Sequence, residues 1–275
     1  MPVHDRCLRA LLLFLLPAAA ASGQAADKSA YTLFNPTPRE LWRPLSADRP
    51  DTTESPYTVD AGVVQLEMSF FDYAKNGGED VWTIAPFNLK LGLTHTMDLQ
   101  LVLDPYVSVD REGASDDDGL GDTQIRLKIN LWGNDREGDA LAFMPYIKLP
   151  TAADDIGNDK VEGGLIFPYA TDLAEGVGLG LMFETDFVYD EQDDAYDTEF
   201  VFTGVLGFEV TEEIGWFAEL IGVLTTDADA ENRALFGTGL TCALREDVVL
   251  DAGVNIGLTG DADDVNVFSG ITVRF

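Results

Sequence analysis

From residue 62 onward, apolar and polar residues alternate in short segments divided by turn residues. Val248, Leu250, Ala252, Val254, Ile256 and Leu258 take one set of positions; Val249, Asp251, Gly253, Asn255 and Gly257 take the other. Successive side chains of an extended strand point to opposite faces, so this segment carries one apolar wall and one mostly polar wall. Ile125, Leu127, Ile129 and Leu131 stand against Gln124, Arg126, Lys128 and Asn130 in the same way. The pattern predicts about twelve strands, at 62–74, 80–92, 96–107, 119–132, 139–149, 161–170, 176–189, 198–210, 214–225, 232–244, 247–258 and 264–275. Most have about the ten residues that a tilted strand needs to cross a bilayer. Pro145 and Pro168 break the pattern of the fifth and sixth.

Alternation alone also fits a β-sandwich, which turns its apolar face inward. The connections separate the two. Those after even-numbered strands are mostly tight, as at Thr94-His95-Thr96, Leu173-Ala174-Glu175, Thr211-Glu212-Glu213 and Arg245-Glu246. Those after odd-numbered strands are mostly longer and acidic: Asp110 to Asp118, Asp154 to Asp159, Asp190 to Asp197, Asp227 to Glu231 and Asp261 to Asp264. The expected fold is therefore all-β: an antiparallel transmembrane β-barrel of about 12 strands, with short periplasmic turns and longer acidic extracellular loops. Tyr73, Tyr106, Tyr189 and Phe200 toward the loops, and Trp132, Phe208, Trp216 and Phe275 toward the turns, fall where interface girdles belong. A sandwich would instead be soluble in the periplasm.

The ends agree with export. Arg6 and Arg9 precede an apolar run from Ala10 to Ala21, and small residues follow to Ala25, the layout of a cleavable signal peptide over 1–25. Residues 26–61 form a Pro-rich segment expected in the periplasm or the lumen, and 62–275 form the barrel. The last strand places Val265, Val267, Ile271, Val273 and Phe275 on one face. This resembles the C-terminal assembly signal of bacterial outer-membrane barrels, which implies an outer-membrane location, contact with its lipid, and recognition of Phe275 by barrel-assembly machinery.

Charge narrows the partners. The formal net charge is −32 with a sequence pI near 4.1, which argues against nucleic acid and anionic headgroups. Hydrophobic residues still make up 46%, enough to pack. Cys7 falls in the signal, leaving Cys242 without an intrachain partner and excluding a cysteine-based zinc site. His4 falls there too, so His95, in a tight turn, is expected to be a turn residue rather than a general base. No catalytic residue or cofactor is expected, and Asp116-Asp117-Asp118 and Asp261-Ala262-Asp263-Asp264 match no defined calcium-loop spacing.

Candidate function lies in the ionisable inward positions, which include Glu67, Lys90, Asp98, Asp104, Arg126, Lys128, Lys148, Glu184, Asp186, Glu209, Glu219, Arg233, Asp251 and Arg274. Unpaired buried charge is costly, so these must be paired or wetted. Arg126, Lys128, Lys90 and Lys148 predict a basic strip; Glu184, Asp186 and Glu209 predict an acidic one. Opposed strips shape a field for a polar solute, whereas salt bridges that fill a narrow barrel are the alternative.

The segment Leu45-Ser46-Ala47-Asp48-Arg49-Pro50-Asp51-Thr52-Thr53-Glu54-Ser55-Pro56, leading into Gln65-Leu66-Glu67, resembles the opening of a family of outer-membrane transporters labelled with the meta-pathway of phenol degradation. The resemblance implies a β-barrel and passive uptake of small, aromatic or hydrophobic solutes. As a candidate plug that partly occludes the channel, Asp48, Arg49, Pro50, Asp51 and Glu54 are expected to enter the lumen, with Arg49 pairing with the acidic strip; a periplasmic tether with no gating role is the other expectation. A plugged surface barrel and an outer-membrane hydrolase are the alternative functions.

Overall fold

The computed structural model describes residues 27–113, 116–135, 138–154, 156–190, 193–228 and 230–275; the expected signal peptide lies outside them. Fifteen strands make one antiparallel sheet: β1 (Val64–Asn76), β2 (Glu79–Ile84), β3 (Phe87–Thr94), β4 (Met97–Leu103), β5 (Tyr106–Arg111), β6 (Asp117–Gly119), β7 (Thr123–Trp132), β8 (Ala140–Leu149), β9 (Glu162–Ala174), β10 (Val177–Asp190), β11 (Ala195–Glu209), β12 (Ile214–Thr225), β13 (Arg233–Arg245), β14 (Val248–Gly257) and β15 (Val265–Arg274). β1 pairs with β2 at one end and β3 at the other. The same relation joins β4 to β5 and β6 to β7. These pairs are halves of single staves, and the sheet closes between β15 and β1 into a barrel of 12 staves. Pro86 and Pro105 stand at two of the breaks, where a missing N–H ends a ladder.

Closure removes the sheet edges, so backbone groups of the wall find partners within it. Leu99, Leu101, Ile125, Phe202, Leu220, Leu240 and Ile256 point outward and stay exposed, as a lipid-facing wall requires. Pro145 and Pro168 lie inside β8 and β9 after all. The β7–β8 ladder skips Leu127 and Lys128 near Pro145, and the β8–β9 ladder skips Ala142 and Phe143 near Pro168. The neighbouring pairs hold both staves in register.

The buried interior is of two kinds. On β8 to β12 it is largely apolar, with Met144, Ile166, Met182, Val205, Phe217 and Ile221, and carries Asp186, Thr203 and Glu219 as buried polar residues. On β1, β3, β4 and β7 it is polar: Gln65, Glu67, Lys90, Asp98, Gln100 and Lys128 are almost fully buried. Inside that polar half runs the irregular segment 43–63, of which Asp48, Thr53, Thr58, Val59, Asp60, Ala61 and Val63 are buried.

Candidate functional site: an inserted loop on a charged track

The segment cannot form a ladder or helix across Pro44, Pro50 and Pro56, so its backbone needs other partners. The barrel's inward carboxylates supply them. Glu67 on β1 accepts from the backbone N–H of Asp48 (3.0 Å) and of Arg49 (3.2 Å). Glu219 on β12 accepts from the N–H of Thr52 (2.9 Å) and Thr53 (2.8 Å), and from the Thr53 hydroxyl (2.6 Å). Asp98 on β4 accepts from the N–H of Val59 at 2.9 Å. Asn130 donates to the Pro56 carbonyl at 2.9 Å, and Asn134 accepts from the N–H of Thr58 at 3.0 Å.

Side chains of the segment meet the basic strip. The Asp48 carboxylate binds Lys128 Nζ at 2.7 Å and also Lys90, which in turn contacts Glu67. Glu54 accepts from Arg126 at 2.7 Å and lies 3.5 Å from Lys128. Burial opposes the ionised form of Asp48, but Lys128 and Lys90 overcome it and hold the carboxyl below its ordinary range. Glu54 moves the other way: burial, reinforced by Asp48 and opposed by Lys128 and Arg126, raises it to about 7. Asp51 is also raised, by burial and by the nearby Glu219.

Arg49 enters the lumen but does not meet the Glu184–Asp186 strip. It forms two hydrogen bonds to Asp251 on β14, at 2.6 and 3.2 Å, and donates to Ser69 at 2.6 Å. The pairing differs from expectation because the segment lies along β1 and its neighbours, which brings Arg49 beside β14 and β15; Phe268 lies 6.0 Å from its guanidinium. Pro50, on a cis peptide, and Asp51 line a cavity of about 570 Å³ at the turn rim, with Asp172, Glu175, Glu209 and Phe217.

The other predicted residues divide by height in the barrel. Lys148 lies nearer the loop rim, 3.2 Å from Asp122 and against Glu162, rather than on the basic track. Arg233 pairs with Glu199 at 2.8 Å. Asp186 accepts from Tyr146 at 2.5 Å beside Glu184. Glu209, at the opposite end of the wall, does not join them. The Glu67, Asp98 and Glu219 carboxylates were visible as inward charges, but their role as acceptors for a foreign backbone was not. The neutral Gln65, Ser69, Thr203 and Asn134 were missed: only alternation marked the first three, and Asn134 lies in the turn after β7, where no pattern reaches.

At the turn rim the entry and exit of the segment are tied together. Arg43 lies 3.0 Å from Asp60 and 2.9 Å from Asp135, and Arg274 donates to the Arg43 carbonyl at 2.7 Å. His95 sits here as a turn residue whose carbonyl accepts from Arg43 and Asn134. At the loop rim, oxygens of Asp190, Asp197 and Asp227 lie within 4.8 Å of one another. Asp117 instead pairs with Arg111, while Asp261 and Asp264 accept backbone N–H groups of Glu231 and Gly77.

Two more cavities flank the segment. One of about 230 Å³ is bounded by Asp48, Arg49, Glu54, Asn88, Val102 and Arg126. One of about 290 Å³ is bounded by Pro56, Tyr57, Ala170, Gly180, Val205 and Phe217.

Comparison with solved structures finds the same architecture at low identity. An outer membrane channel from Pseudomonas putida F1 is 14% identical, covers 84% of this chain and 100% of its own, and superposes with a TM-score of 0.62. The NanC porin is 7% identical, covers 77% of this chain and 100% of its own, with a TM-score of 0.57. A search among curated proteins found no significant match. Residues 47–275 match one family model, beginning just before the Asp48–Pro56 loop and taking in all fifteen strands, so the chain belongs to the family described as "Putative MetA-pathway of phenol degradation".

Proposed function

We propose that this protein is an outer-membrane channel for passive uptake of small solutes, aromatic or hydrophobic compounds among them, and that residues 45–60 narrow its lumen. One observation carries the reading: an irregular, charged loop fills the polar half of a closed barrel and leaves cavities of about 570, 290 and 230 Å³ beside it. The 290 Å³ cavity is walled by Tyr57, Val205 and Phe217 together with Asp51, Glu54 and Asp172, an apolar face with polar groups beside it, of a size for a single ring. The names of the two structural neighbours, a channel and a porin, and the phenol-degradation description of the family point the same way. Lipid surrounds the wall, and the loop rim faces outward from the cell.

The test is conductance of the purified protein in planar bilayers. Deleting residues 45–60 should raise single-channel conductance; unchanged conductance would refute the narrowing role. A second reading, a plugged surface barrel, is favoured by the buried pairing of Asp48 with Lys90 and Lys128. It predicts that the intact protein does not conduct. The hydrolase alternative would show as turnover in a lipid-hydrolysis assay.

A further inference from the structure

The charges of the segment and of the wall are not distributed evenly along the lumen. Lys90, Lys128 and Arg126 line up on β3 and β7, and each is met by a carboxylate: Asp48 and Glu67 for Lys90, Asp48 and Glu54 for Lys128, Glu54 for Arg126. Two of those three carboxylates belong to the inserted loop. Arg49, the one base of the loop within the lumen, is neutralised by Asp251. The situation is opposite in the 570 Å³ cavity. Asp172, Glu175 and Glu209 line it, and among the described residues none of the three lies in an ion pair.

We infer that the loop fixes the charge selectivity of the passage: by laying Asp48 and Glu54 over Lys90, Lys128 and Arg126 it cancels the basic track, leaving uncompensated carboxylates to admit cations and neutral solutes and to turn back anions. The inference rests on the channel reading above and deepens it, because it names the charge class of the solute. It follows from Coulomb attraction in a confined, poorly screened space, where one uncompensated charge biases the local ion population strongly. Above about pH 7, where Glu54 is ionised, removing Asp48 and Glu54 gives the track back two positive charges, and anions gain a path. The loop is then a counter-charge as well as an obstacle.

The experiment is the reversal potential of the purified full-length protein across a KCl gradient at about pH 8, where Glu54 is ionised, with single-channel conductance recorded in the same bilayers. The wild type should prefer K⁺. Asp48→Asn combined with Glu54→Gln should lower the K⁺/Cl⁻ permeability ratio by about threefold or more. Arg126→Gln should raise it, because the track loses one positive charge while Asp48 and Glu54 stay in place. A loop that acts only as a structural brace would loosen in both variants and shift the ratio the same way in each. Shifts of opposite sign support the inference; shifts of one sign, no shift, or an anion-preferring wild type overturn it. Absence of conductance in every protein would instead overturn the channel reading, and this inference with it.

Discussion

Lys128 shows how much of the site a single position can reveal. Its alternation with Leu127 and Ile129 told that it faces inward. Nothing local told that its partner would be Asp48, 80 residues earlier. Such long-range pairing is set by the path of an irregular loop, which has no periodicity to read. For the same reason Arg49 was expected on the Glu184–Asp186 strip and instead meets Asp251. Removing Asp48 leaves Lys90 with Glu67 alone and Lys128 with Glu54 alone at 3.5 Å, and breaking a buried pair costs about 3–5 kcal/mol. Asp48→Ala should therefore unseat the loop, seen as new protease cleavage within 45–60 while the barrel keeps its heat-modifiable migration. Glu54 supplies a pH dependence. Its ordinary value of 4.5 rises to about 7 in the lumen, where Asp48, Lys128, Arg126 and Glu184 face it. Between those values the seated loop holds a proton that a released loop lacks. Seating therefore strengthens as pH falls below 7 and weakens as pH rises through it. Asp51 acts in the same sense, while Asp48 keeps its charge. Conductance should be higher near pH 8 than near pH 5.5, and a Glu54→Gln variant should show a smaller difference, the rest belonging to Asp51.

At the level of elements, the strands were legible and the loop was not. Expected strand ends such as 214–225 coincide with the observed Ile214–Thr225, and 264–275 nearly matches Val265–Arg274. A two-residue period repeated along one sheet is a strong signal. The three staves broken near Pro86, Pro105 and Leu120 were read as continuous, which kept the stave count right while hiding the breaks. The apolar inward positions of β8 to β12, such as Met144, Ile166, Met182 and Phe217, were less legible, because a strand locally apolar on both faces loses its alternation. Glycines on those strands make the room beside the loop. A Cβ atom at Gly207 would meet nothing within 4 Å, and the residue lines both the 570 and the 290 Å³ cavities. Gly207→Leu should therefore lower single-channel conductance without changing thermal stability. Equal conductance would place the passage elsewhere.

For the whole molecule, closure is the decisive event. The seam between β1 and β15 joins the two ends of the wall over a gap of nearly the whole described chain, from Gln65↔Arg274 to Lys75↔Val265. Phe275 extends it, donating to the Val64 carbonyl at 2.8 Å with its ring exposed at the turn rim. Contacts of that sequence separation form late and slowly. Phe275→Ala should accordingly lower the yield of inserted barrel in membranes, while conductance per inserted barrel stays the same. The charge of the chain is equally a property of the whole. The loop rim gathers carboxylates at Asp190, Asp197 and Asp227, so a cation approaching from that side is attracted before it reaches the lumen.

The bond between Arg43 and Asp60 has a mechanical meaning. The chain enters the barrel beside Arg43, turns back at mid-depth near Arg49 to Glu54, and leaves at Asp60 by the same rim. It is a bight, held at its neck, and not a rope threaded through a hole. Tension applied to residues 27–42 is borne at the neck by Arg43, Asp60 and Asp135, and by Lys28 3.2 Å from Asp135. Little of that load reaches the turn of the bight. A tug on the N-terminal side should therefore leave the constriction seated until the neck gives way, and then release it in one step rather than residue by residue.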